Sequence, residues 1–190
     1  MIKDSGRSTS KLRTWTRVAA LLAVFVLSFL TIRLLAGSSA GGYPSPPFFH
    51  LFFSDPIHMK AWLATGAIML ALFQVLSAAR LFELFHWAPD ERLWGRMHRM
   101  SGYLAILLTL PVAYHCIFLL GFDTTNPRVA IHSILGSAFY GAFLVKVILV
   151  RSGGFPGWAL PVAGGLLFAI LVGFWLTSSL YFFGSNPITL

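Results

Sequence analysis

The sequence predicts an all-α fold, a transmembrane helix bundle of five spans, and three observations carry that prediction. First, 57% of the 190 residues are apolar and only 11% are charged, where a soluble domain has roughly 45–50% and 25%. Mean hydropathy is +0.77. Second, the apolar residues are gathered into five runs, each long enough to cross a hydrocarbon layer of about 30 Å as a helix that satisfies its own backbone polar groups. Third, none of the runs alternates polar with apolar residues as a barrel strand would.

Residues 1–17 form a basic tail, and the first span covers residues 18–36, with its apolar run from about Val18 to Leu35. A basic start, an apolar VAALLAVFVLSFL and a small-residue GSSAGG also describe a cleaved signal peptide. Arg33 interrupts the approach to a cleavage site, so an uncleaved helix is the preferred reading. The following segment, GSSAGGYPSPPFFHLFFSDP, is rich in Gly, Ser and Pro and reads as a loop whose FFHLFF stretch lies in the membrane interface. The second span runs from Ile57 to Ala79. The inner segment RLFELFHWAPDERLWGRMHR mixes aromatics with charge, as a chain lying against headgroups does. The third span follows from about Met100 to Phe122, the fourth from Val129 to Val150 and the fifth from Trp158 to Phe183. Residues 57–183 therefore make a four-helix core, and residues 184–190 are a short tail. Pro111 should kink the third span one turn before His115. Trp62, Trp87, Trp94, Trp158 and Trp175 fall near span ends, as an aromatic belt does.

Charge sets the expected orientation. Eleven of the 14 Lys and Arg residues lie in the N-terminal tail, the loop between spans two and three, and the turn after span four. Only Arg33, Lys60 and Arg128 lie on the other side. Basic loops stay in the cytoplasm, which places the N-terminus inside and the C-terminus outside a multi-pass protein of the cell membrane, with the lipid bilayer as its first partner. The net charge of +8 is explained by these flanks and calls for no nucleic acid. The single Cys116 excludes an internal disulfide, a thiolate zinc site, an iron–sulfur cluster and covalent haem attachment, and inside an apolar run it reads as a packing residue. No phosphate loop, serine–histidine–acid set or paired catalytic carboxylates are present, so no catalytic residue is assigned.

The chemistry lies in the histidines. On this orientation His50, His58, His115 and His132 are on the outer side, and His86 and His98 on the inner side. His58, His115 and His132 stand at the outer ends of three different spans. A lone histidine at a helix end can cap a carbonyl or sit among headgroups. Three ionisable rings at one membrane depth point instead to a shared ligand or cofactor. His98 and His115 are 17 residues apart on one helix, about 25 Å along its axis, so they cannot share an iron. A haem iron takes two axial ligands from separate helices, and imidazole serves. Any two of His58, His115 and His132 reach one iron if their helices are adjacent. Gly66, Gly102, Gly136 and Gly141 supply small positions for close helix approach.

The stretch from His58 to the end of the fifth span, about 125 of the 190 residues, resembles the four-helix core of the cytochrome b561 proteins, transmembrane di-haem electron carriers. The matching features are His58 and Arg80 at the two ends of the second span, Arg96 and His98 at the start of the third, and Tyr114-His115 at its far end. The fourth opens on His132-Ser133-Ile134-Leu135-Gly136, the most specific part of the likeness. The resemblance implies that His58 and His132 are the axial ligands of an outer haem b. It gives His98 to an inner haem and makes His115 a polar or proton-handling neighbour of the outer site. His98's partner should follow a Leu-Pro pair in the fifth span, but Leu160-Pro161 is followed by Val162, Ala163, Gly164 and Gly165, and no histidine follows His132. One haem rather than two is therefore expected. The reading is an oxidoreductase-type electron carrier that serves a quinone or an extracytoplasmic redox protein. Two readings from other classes stand beside it: a haem-free protein holding copper or zinc through His58, His115 and His132, and an assembly subunit of a membrane complex.

Overall fold

The computed structural model describes residues 5–38, 48–84 and 90–186, with side chains from Arg13 onward. Every regular element among them is helical. Helix α1 spans Ser5–Ser38, α2 Pro56–Leu81, α3 Glu91–Tyr114, α4 Pro127–Ser152, α5 Ala159–Trp175 and the short α6 Tyr181–Ser185. Two π-helical turns interrupt this order: His115–Leu120 extends α3, and Leu176–Leu180 joins α5 to α6. Five helices are thus long and apolar enough to cross a membrane, at Arg13–Gly37, Pro56–Leu81, Glu91–Leu120, Pro127–Ser152 and Ala159–Ser185. The chain is a multi-pass helical membrane bundle.

Local chemistry sets where the helices begin. Asp55 caps α2, accepting from the Ile57 and His58 N–H groups, with Pro56 in the first turn, where its missing donor costs nothing. Asp90 caps α3 through the Leu93 N–H, and Asn126 caps α4 through the Arg128 N–H, again followed by proline. Two helices start well before their apolar runs. The basic tail expected over residues 1–17 is helical from Ser5, and α3 begins at Glu91, inside the segment read as lying along the headgroups. Polar residues without an interior proline continue a helix beyond the apolar layer at little cost, and hydropathy does not register them.

Packing closes the helices into a ring. α1 packs on α4, α4 on α5, α5 on α2 and α2 on α3, and the π turn at the end of α3 meets α1. The core joins Ile68 and Ala71 of α2, Ala138, Phe139 and Ala142 of α4, and Ile170 and Leu171 of α5, with Phe25 and Phe29 of α1 packed against them. The expected small positions sit at close approaches: a Cβ on Gly141 would stand 3.1 Å from the Phe25 backbone oxygen, and one on Gly66 3.1 Å from Leu108. Large apolar side chains such as Leu27, Leu76, Leu107, Val150 and Leu166 are exposed on the outside of the ring, where a bundle meets lipid. One expected belt residue turns inward: Trp175 donates from Nε1 to Thr65 Oγ1 across the α2–α5 contact, at 3.0 Å.

Candidate functional site

The starts of α2 and α4 and the ends of α3 and α5 gather at one end of the ring, and His50, His58, His115 and His132 gather with them. Both π turns are here too: one opens on His115 and the other carries Thr177. A π turn inserts an extra residue into a helix and re-aims the side chains around it, and it recurs at functional sites.

His58 stands in the first turn of α2. Its Nδ1 lies 2.6 Å from Asp55 Oδ2, and its ring meets Phe182 edge-on at 4.9 Å. The same carboxylate accepts from the His58 backbone N–H at 2.9 Å, so the cap of the helix is also the clamp on the ring. These contacts, the His58 backbone N–H foremost, hold the Asp55 carboxyl below its ordinary pKa against the opposing effect of burial. His132 lies in the second turn of α4, stacked on Phe174 with ring centroids 4.3 Å apart. Its Nδ1 is 3.4 Å from Thr177 Oγ1. Thr177 gives its own proton to the carbonyls of Gly173 and Phe174, so towards His132 it accepts. At His132 this contact is long and the ring also hydrogen-bonds the Phe174 backbone, so an oxygen holds Nδ1 closely only at His58. This is the arrangement that fixes the ring of a metal-ligating histidine and turns Nε2 to the metal.

His115 differs. It is fully buried. Its Nδ1 donates to the Pro111 carbonyl at 2.8 Å, and its Nε2 accepts from the Phe49 N–H at 3.3 Å. Both ring nitrogens are engaged, and Phe49 and Tyr114 pack on the ring. His50 is bonded through Nδ1 to the Phe53 carbonyl at 2.5 Å. At the opposite end, His98 belongs to an interhelical network: its Nδ1 meets Ser77 Oγ at 2.7 Å, its carbonyl accepts from Gln74, and Gln74 also donates to Ser101 Oγ at 2.7 Å. His86 lies outside the described residues.

Among the described residues no three of His, Cys, Asp and Glu come together as a metal site, so His58, His115 and His132 are not gathered around one point. A cavity of about 60 Å3 lies between α1, the end of α3 with its π turn, α4 and α5, lined by His132, Cys116, Ser133, Ser137, Tyr140 and Phe174 among others. Its polar groups are largely satisfied internally: Tyr140 donates across it to the Thr109 carbonyl at 3.1 Å, and Ser137 to the Ser133 carbonyl at 2.8 Å. Ser179 does not line this cavity. It is buried in the second π turn, and its hydroxyl has no partner. It lies between Trp175, which reaches Thr65 of α2, and Phe182, which meets His58 of α2. A buried hydroxyl left unpaired costs about 1–3 kcal/mol.

A family profile, DUF6529, a family of unknown function, matches residues 17–190. The chain belongs to DUF6529. No curated protein and no solved structure matches it. The DUF6529 match takes in all five spans, and with them the whole histidine end.

Sequence reasoning placed the four histidines at one end but missed the residues that hold them. Asp55 was legible, since Asp-Pro ahead of an apolar run is a cap signature and its carboxylate stands three residues from His58. Thr177, Ser179 and Phe49 carry no local signal: each acquires its place only from the packing of another helix or of the loop.

Proposed function

We propose that the chain is an integral membrane haem b protein of electron transfer. It carries one bis-histidine haem held by His58 and His132 and exchanges electrons with a quinone or an extracytoplasmic redox protein. The observation that supports this most is the pair of imidazoles on α2 and α4, His58 with Nδ1 held by an oxygen and His132 stacked on Phe174, flanking a π turn with an orphaned buried hydroxyl. The donor set fits haem b, since two neutral imidazoles from separate helices suit its iron. When bound, the haem supplies one-electron transfer at iron. The histidine end is the outer one on this reading, with the N-terminus in the cytoplasm, as the basic flanks favour.

The remaining work falls to the chain's own residues. Asp55 fixes the His58 tautomer and strengthens the ring as a donor, and Thr177 does the same more weakly for His132. Phe174 and Phe182 cover the two imidazoles and exclude water. The cavity beside His132, about 60 Å3, is smaller than a porphyrin and is not lined by His58, so a haem would need more room than this packing gives. His115, with both nitrogens engaged, is the weaker candidate for a ligand.

Optical spectra of oxidised and dithionite-reduced protein test the assignment. His58→Ala and His132→Ala are each expected to abolish the low-spin bis-imidazole spectrum, while His115→Ala and His98→Ala keep it. A normal spectrum in His58→Ala together with its loss in His115→Ala would overturn the pairing.

A further inference from the structure

The ring of helices is closed unevenly. α1 packs along α4 and meets the π turn beyond α3, which lies at the histidine end. α3 itself packs against α2 and has no contact of comparable extent with α1 or α4. At the end opposite the histidines, α1 stays with α4: the Arg17 guanidinium donates to the Gly154 carbonyl just past α4, at 2.7 Å. There the bundle is open on the side between α1 and α3, and Met100 and Tyr103 of α3 are exposed.

Polar groups gather behind this opening. Gln74 and Ser77 of α2 are bonded to His98 and Ser101 of α3. Lys146 of α4 brings its charge to bear on the His98 ring from the other side. The two residues share a depth: Lys146 is six residues from the end of α4 and His98 seven from the start of α3, each about 10 Å in from the helix end. Arg80, buried, stands one turn beyond Ser77 on the same face of α2.

The helices offer these cations almost no counter-ion. Of all the residues in α1 to α6 only Glu91, in the first turn of α3, is acidic. Lys146 is half-buried and makes no ion pair or hydrogen bond among the described residues. An ammonium at membrane depth without an anion is costly, and a basic pocket between spans is suited to an acidic headgroup. Phosphatidylcholine carries its own ammonium and brings no net charge to such a pocket.

We propose that the opening between α1 and α3 at this end binds an acidic phospholipid of the adjoining leaflet. Its phosphate pairs with Lys146, Arg80 adds to the positive field, and its acyl chains lie along the exposed side of α3. The site does not depend on haem, nor on which side of the membrane this end faces.

Trace spin-labelled phosphatidylglycerol or phosphatidylcholine, in phosphatidylcholine vesicles holding the full chain, reads the site through the motionally restricted fraction of label. The vesicles are kept in about 1 M sodium chloride, which screens exposed charges within about 3 Å. The parent is expected to prefer phosphatidylglycerol by on the order of fivefold, the weight of one basic residue at an anionic surface. Lys146→Gln loses the preference and Lys146→Arg keeps it. Arg151→Gln, which removes an exposed cation from the last turn of the same helix, keeps it too. Thermal unfolding gives a reading that a misfolded variant cannot imitate: phosphatidylglycerol in the bilayer raises the Tm of the parent and leaves that of Lys146→Gln unmoved. No preference in the parent, a preference kept in Lys146→Gln, or one lost equally in Arg151→Gln would overturn the proposal. Loss of the preference when phosphate replaces chloride at equal ionic strength would make the free anion the occupant and overturn the lipid assignment.

Discussion

Asp55 serves two ends at once. It caps α2 through two backbone N–H groups and holds His58 by Nδ1. Its carboxyl is held below the ordinary value, so the stability it contributes is full above the unfolded pKa of an aspartate, about 4, and is lost as pH falls through the lower folded value. Asp55→Ala is therefore expected to lose about 1 kcal/mol near neutral pH, as removal of an N-cap does. Thermal unfolding of parent and variant in nanodiscs should show a gap at neutral pH that closes as the solution is acidified below the folded pKa. A gap independent of pH would mean that the carboxylate charge is not what α2 uses. The residue scale also separates the histidines. Their shared depth left any two of His58, His115 and His132 able to reach one iron, and the surroundings of each ring differ: His115 has both nitrogens engaged, while His132 hydrogen-bonds the Phe174 backbone, stands 3.4 Å from Thr177 Oγ1 and carries a phenyl ring on its face.

Among the elements, the first π turn and the glycine that ends it place α1 against the rest. Gly121 sits at φ 75° and ψ −170°, a region that essentially only glycine occupies. A Cβ there would lie 2.9 Å from the Ala36 carbonyl oxygen of α1. Gly121→Ala should cost about 1–3 kcal/mol from the backbone alone, and more if α1 must shift. Gly164→Ala, in helix α5 with nothing within 4 Å of the new methyl, should be neutral or mildly stabilising. Thermal unfolding of the two variants side by side checks the contrast, and equal effects would contradict the tight α1 contact. The five spans were legible because a run of about 20 apolar residues has no soluble alternative, and the alternation of helix ends followed from their order. Pro111 signalled an irregularity one turn before His115, and a π turn begins there. The π turn of residues 176–180 was not legible: Leu-Thr-Ser-Ser-Leu is compatible with an ordinary helix, and the turn lies where the chain packs against α2 and α4.

At the scale of the whole molecule, the ring of five helices brings α1 into the bundle: it packs along α4 and closes on the π turn after α3. An odd number of spans, five if every candidate helix crosses, would put the two termini on opposite sides of a membrane. With the basic flanks setting the sense, a periplasm- or exterior-dependent reporter fused after Leu190 should be active and a cytoplasm-dependent one silent. The reverse would move the histidine end to the cytoplasmic face. The ring also separates His98, in its α2–α3 network, from the other end by the length of α3, and a single cofactor is expected because no histidine follows His132 to partner it. Pyridine haemochrome quantified against protein, on material made with ample haem, tests the central claim most directly. The account predicts about one haem per chain with a low-spin bis-histidine spectrum, and a value near zero would contradict it.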